Sequence, residues 1–280
     1  MSTYTVPSPA EPASAPDDAA PVVAAILAAG LSRRMGGLNK LVQEIDGVPM
    51  VRRVAQRALA SRCKRVMVVV GHHADDVRSA LSGLPVQFVD NPEYQEGLAA
   101  SVRAAARAAR PGEALIICLG DMPQVSTVVI DELIQAYQDT QADETDQTRA
   151  RRAAGQPQDR SCGVRHILDA SGDEGGGVRH VPDASEDVVG RRGSIAAFQP
   201  EYAGKRGNPV LWAPQALPSL THLSGDEGAR TLLKRLGDAV SAVPVQSAGI
   251  LMDVDTPEAL SEARRQGDRP IDETTADKHS

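Results

Sequence analysis

The stretch VVAAILAAGLSRRMGGLNKL, residues 22–41, decides the fold. It opens as an unbroken apolar run, closes at Gly30, then passes through two arginines and a glycine pair to Lys40. A short run that is apolar at every position, not at alternate ones, reads as a strand buried on both faces, as in parallel sheets. Helical periodicity returns only near Pro49, so the residues between form a loop at the carboxyl end of that strand. In open α/β sheets ligands gather outside those ends. Glycines at 30, 36 and 37 let backbone N–H groups come close to an anion. Arg34 and Lys40 add long cationic arms that reach polyphosphate oxygens. The loop follows neither the dinucleotide fingerprint nor the P-loop, because residue 32 is serine and Lys40 is followed by leucine. Taken alone, it reads equally as a glycine-rich turn with solvated arginines.

Further runs of the same texture follow: RVMVVVG (65–71), VQFVDN (86–91) and ALIICLGD (114–121). Helical segments alternate with them. Val51, Val54 and Ala58, with Leu59, mark one apolar face; Leu98, Val102, Ala105 and Ala109 mark another. Uniformly apolar strands separated by amphipathic helices predict a doubly wound, three-layer α/β fold with a mostly parallel central sheet covered on both faces. A helix carrying Val129, Leu133, Ile134 and Tyr137 ends the regular pattern. We therefore expect a disordered tail over 1–20, one domain over 21–265 interrupted by a flexible low-complexity insertion at 139–192, and a second tail over 266–280. Within the insertion GVRHILDAS (163–171) recurs as GVRHVPDAS (177–185), two copies being too few for a solenoid.

Composition narrows the function. A formal net charge of −7 and only 2% aromatic residues argue against nucleic acid and membrane surfaces as partners. Cys63, Cys118 and Cys162 lack metal or redox spacing, which fits a reducing cytoplasm. No apolar stretch is long enough to span a bilayer.

The chemistry concentrates in carboxylates. Asp121 lies just past an apolar strand, on the same sheet edge as the basic loop. In ILMDVDTPE (250–258), Ile250 to Met252 read as a strand, Asp253 and Asp255 share a face, and Thr256 with Pro257 opens a helix. Two such carboxylates opposite a cationic loop suit Mg2+, which fills its shell with phosphate oxygens and water. His72 and His73 are adjacent on a turn and read as structural; Trp212 reads as core or pocket wall.

Five segments in order, LAAGLSRRMGGLNKL, NPEYQEGLAASV, LGDMP, GKRGNPVLW and DVDTPE, resemble the MobA-like NTP transferases of the molybdenum-cofactor group, the cytidylyl members above all. The resemblance spans about residues 22–265 apart from the insertion. It implies a Rossmann-like nucleotidyltransferase fold and a magnesium-dependent enzyme that transfers a nucleoside monophosphate from an NTP to a terminal phosphate and releases pyrophosphate. It places Leu27, Ala28, Ala29, Gly30, Arg34, Lys40, Gly97 and Ser101 against the nucleotide. Arg34, Lys40 and Asp121 would be catalytic, and Asp121 with Asp255 would hold the metal. Gly207, Asn208 and Pro209 would face the acceptor, with GDEGAR (225–230) nearby. Asn208 stands where relatives often carry histidine, a departure that bears on the acceptor. The form LAAG points to CTP, and the family points to molybdopterin as acceptor, with a molybdenum hydroxylase or its chaperone as a possible recipient. A related transferase with another phosphorylated acceptor, or a non-catalytic carrier of the cofactor, are the competing readings.

Overall fold

The computed structural model describes residues 20–31, 39–153, 194–225 and 229–266. The chain enters on β1 (Val22–Ala28), every residue of which is buried. A hairpin of β2 (Glu44–Ile45) and β3 (Val48–Pro49) leads into α1 (Met50–Ala60), then β4 (Val66–Val70), α2 (Ala74–Ala80), β5 (Gln87–Asp90), α3 (Leu98–Ala108), β6 (Ala114–Leu119) and α4 (Thr127–Ala153). The second half brings β7 (Ala197–Tyr202), β8 (Lys205–Arg206), β9 (Val210–Trp212), α5 (Leu217–Leu220), α6 (Arg230–Leu236), β10 (Val240–Pro244) and α7 (Pro257–Gln266).

The strands form a sheet in the order β10-β7-β9-β6-β1-β4-β5, with β8 appended to β7. Strands β6, β1, β4 and β5 are mutually parallel, and β10 is parallel to β7. Strand β9 runs against both neighbours, so β7 points the same way as β6. The sheet is therefore mostly parallel, as the continuous apolar runs predict.

Alternation along β1 divides the core. Ala24, Ile26 and Ala28 pack with α1, α2 and α4 through Val51, Val54, Val77, Val129 and Leu133. Val23, Ala25 and Leu27 pack on the other face with Ala99, Val102 and Ala105 of α3, Leu217 and Leu220 of α5, and Leu232 of α6. A satellite cluster of Ile45, Met50, Val254, Leu260 and Ala263 fixes α7 to the hairpin.

Two expectations are corrected. Helix α4 does not end near Asp139 but continues to Ala153. Its distal turns are largely exposed, so apolar periodicity could not reveal them; they rest on helix-favouring residues, and the hydroxyls of Thr140, Thr145 and Thr148 donate back to carbonyls one turn earlier. Ile250 to Met252 are not a strand: Ala248–Leu251 form a 3₁₀ turn capped by Ser247, whose Oγ accepts from Gly249 N–H. A short apolar run does not distinguish the two by periodicity. The two tails, apart from their inner ends, the repeat and most of the insertion lie outside the described residues.

Candidate active site

Parallel strands deliver their carboxyl ends to one edge, and three main-chain hydrogen bonds lace the segments that meet there. Gly120 N–H donates to Leu27 O (3.0 Å), Val254 N–H to Asp121 O (2.9 Å) and Asn208 N–H to Ile250 O (3.0 Å). Such close approach explains two of the glycines. A Cβ on Gly120 would lie 2.9 Å from Leu27 O, and one on Gly207 would lie 2.2 Å from Ile250 O.

On this floor Lys40, Asp121 and Asp255 come together. Asn39 caps a 3₁₀ turn over Lys40–Val42 by accepting from Leu41 N–H; that turn packs on α1 and α2, and Leu41 is buried in the core layer they form with β1. With its neighbour anchored in the core, Lys40 reaches the edge, where Nζ donates to Asp121 Oδ2 at 2.6 Å and to Asp255 Oδ1. The lysine side chain is 12% exposed and that of Asp121 19%. Burial pulls Lys40 down, but Asp121 and Asp255 more than offset this and hold its pKa above the ordinary lysine value, so it stands there as an ammonium. Asp253 is pushed up by partial burial and by the neighbouring Asp255 carboxylate. The Thr256 hydroxyl accepts from Ala259 N–H and caps α7, as its sequence position predicts, fixing where the Asp253–Asp255 segment ends.

The remaining Asp121 oxygen, Oδ1, is buried with no hydrogen-bond partner among the described residues. A buried carboxylate oxygen left unpaired costs free energy unless a donor or cation reaches it. Two carboxylates, one with a spare buried oxygen, form the donor set that magnesium or manganese uses when phosphates and water complete its shell. The residues thus fit a divalent cation. Among the described residues no cluster of three or more metal-ligating side chains occurs.

Beside the floor opens a cleft of about 210 Å³. Leu27, Leu98, Val102 and Trp212 form apolar walls, while Arg206, Arg230, Gln199 and Asn208 supply polar groups. The acceptor segment expected at 207–209 borders this cleft: Gly207 and Asn208 line it, and Pro209 follows in a cis peptide bond. Of the residues expected at the nucleotide, Leu27 lines the cleft and Gly30 is exposed at the edge. Ala28 and Ala29 are buried, one in each core layer. Gly97 has φ 95° and starts α3 in a conformation that favours glycine. Ser101 is buried and its hydroxyl accepts from Asn91 Nδ2 at 3.2 Å, so the cleft wall from α3 is built by Leu98 and Val102. Arg34, with Gly36, Gly37 and residues 226–228, lies outside the described residues.

Sequence reasoning missed Arg103. It is 9% exposed, donates to Glu93 Oε2 (2.7 Å) and Glu96, and reaches Leu223 O (2.8 Å). One guanidinium thereby ties the segment before α3 to the chain leading into α6. The available signal was a charged residue inside the otherwise apolar face of α3, preceded by two glutamates.

A family model described as MobA-like NTP transferase domain matches residues 24–240. The Bifunctional protein GlmU of Burkholderia mallei (strain SAVP1) is 35% identical over 115 residues, covering 41% of this chain and 25% of that protein. The chain spans about a quarter of the length of the curated relatives it matches. Among solved structures, Rv0371c from Mycobacterium tuberculosis H37Rv superposes with a TM-score of 0.62 at 18% identity, over 88% of this chain and 99% of that one. The same protein in complex with manganese gives 0.58 at 18%, over 88% and 99%. A nucleotidyl transferase from Methanothermobacter thermautotroptrophicus gives 0.60 at 19%, over 88% and 96%. At these identities the likeness concerns the fold.

Proposed function

We propose that this chain, which belongs to the MobA-like NTP transferase family, is a nucleotidyltransferase that transfers CMP from CTP to the terminal phosphate of a molybdopterin-type acceptor and releases pyrophosphate. The observation that carries this reading is the meeting of Lys40, Asp121 and Asp255 on the sheet edge beside an apolar cleft. The form LAAG at 27–30 supports CTP over GTP as donor.

In this reading the triphosphate lies over the loop after β1, and the acceptor enters by way of Gly207, Asn208 and Pro209. An acceptor phosphate oxygen attacks the α-phosphorus in line; a new P–O bond forms, and the bond to the α,β-bridging oxygen breaks with its electron pair leaving on pyrophosphate. Asp121 and Asp255 would hold Mg2+, which supplies charge neutralisation at the α-phosphate and alignment of the reacting oxygens. Lys40 and Arg34 stabilise the charge that builds on the departing phosphates. Leu27, Leu98 and Val102 exclude water from the side of the reacting centre. No side chain needs to act as a nucleophile.

The test is direct. Purified protein is incubated with Mg2+, molybdopterin and each NTP in turn, and pyrophosphate is measured; release with CTP is expected. Silence with every NTP overturns the reading. Asn208, in the place where relatives often carry histidine, favours a second reading in which the same NTP site serves another phosphorylated acceptor. Release with CTP and a different acceptor, but not with molybdopterin, would select it.

A further inference from the structure

Resting on the nucleotidyl-transfer reading, we propose that Lys40 is a resident cation that keeps a divalent metal off Asp121 and Asp255 until a polyphosphate draws it away. Asp121 Oδ2 and Asp255 Oδ1 both accept from the same ammonium. These are carboxylate oxygens that the metal would need, and all three side chains are at least half buried, where charge–charge attraction is screened less than in water. A metal ion arriving alone must therefore compete with the ammonium for both carboxylate oxygens.

The carboxylates are the fixed side of this contact and the lysine is the movable side. Val254 N–H bonds Asp121 O, and Thr256 caps α7 one residue after Asp255, so the two aspartates are held by main-chain structure. Lys40 sits on a flexible four-carbon stem. A triphosphate offers that ammonium new oxygens, and once it turns toward them Asp121 and Asp255 are released to a metal. Nucleotide and metal then bind cooperatively, each lowering the other's cost by the same factor, as linkage requires. The sequence of events protects the site from metal capture when no substrate is present.

The test uses the full chain and Mn2+, with free Mn2+ read by electron paramagnetic resonance. Without nucleotide, Lys40→Met should bind Mn2+ about tenfold more tightly than the wild type, in the range usual for coupled sites. Adding Asp121→Asn to that variant should abolish the gain. With a non-transferable CTP analogue, and after correction for Mn2+ held by the nucleotide itself, affinity should rise by a larger factor in the wild type than in Lys40→Met, because only the wild type also gains from the ammonium's release. Lys40→Gln repeats the comparison with a polar residue, and thermal melts confirm folding of each variant. Equal Mn2+ affinity in wild type and both lysine variants overturns the proposal, as does a gain that survives Asp121→Asn. These outcomes are independent of catalysis: an enzyme that released no pyrophosphate with any NTP would still give a readable comparison.

Discussion

Lys40 and Asp121 lie 81 positions apart in the chain and meet at 2.6 Å between Nζ and Oδ2. The contact joins the loop after β1 to the loop after β6, two neighbouring parallel strands, and Asp255 closes it from a third segment. The chemistry is thus assembled by topology from residues that no local motif would group.

If Lys40 and Asp121 serve phosphates and metal, Lys40→Ala or Asp121→Ala should lower the rate of pyrophosphate release by at least about a hundredfold, the usual cost of losing one preorganised electrostatic contact. Far-ultraviolet circular dichroism should be unchanged. Near-normal turnover in either variant would remove these residues from the mechanism.

Gly207→Ala should destabilise the fold by about 1–3 kcal/mol, the cost of forcing atoms into a packed site, because the new Cβ would lie 2.2 Å from Ile250 O. At Gly30, by contrast, a Cβ meets nothing within 4 Å among the described residues. Urea midpoints should therefore separate Gly207→Ala from Gly30→Ala, and coincident midpoints would refute the packing account.

Arg103→Met retains an apolar stem but strips the buried Leu223 carbonyl of its donor and leaves Glu93 and Glu96 unpaired. We expect a loss of about 1–3 kcal/mol, the range for an orphaned buried acceptor. Hydrogen exchange should quicken both before α3 and around 220–225. Exchange confined to one segment would show that the guanidinium does not couple them.

Acid stability offers a further check. Burial tends to raise Glu113, but Arg65 and Arg110 N–H outweigh it and hold its pKa below the ordinary value of 4.5. Arg65 Nη2 stands 2.6 Å from Glu113 Oε2, with Nε at 3.2 Å from Oε1. A carboxyl with a lowered folded pKa contributes stability that is present above 4.5 and is lost as pH falls through the folded value. The wild type should lose stability below about pH 4.5 more steeply than Glu113→Gln, as measured by urea midpoints against pH. Parallel curves would show the pair contributes nothing.

Much of this was legible in the chain because burial on both faces leaves a signature at every residue of β1, β4 and β6. Asp121 was legible for the same reason, as the polar residue just past such a run, and so was the Thr256 cap. What stayed hidden depended on partners distant in sequence. That Lys40 would rest on the two aspartates follows from strand order, not from spacing. The 3₁₀ turn at 248–251 follows from Gly249 packing on Gln124 O, where a Cβ would approach to 2.4 Å. The far turns of α4 bury little and so leave no periodic trace.

The lacing of Gly120 to Leu27, Val254 to Asp121 and Asn208 to Ile250 runs entirely through peptide groups. Substitutions that spare the glycines and introduce no proline leave every one of those donors and acceptors in place. The platform is consequently indifferent to much of what natural variation does to it: reactive groups above can be exchanged one at a time while their anchorage persists. That is a physical basis for an architecture shared with solved proteins at 18% identity, and it makes the upper surface a ready substrate for laboratory redesign.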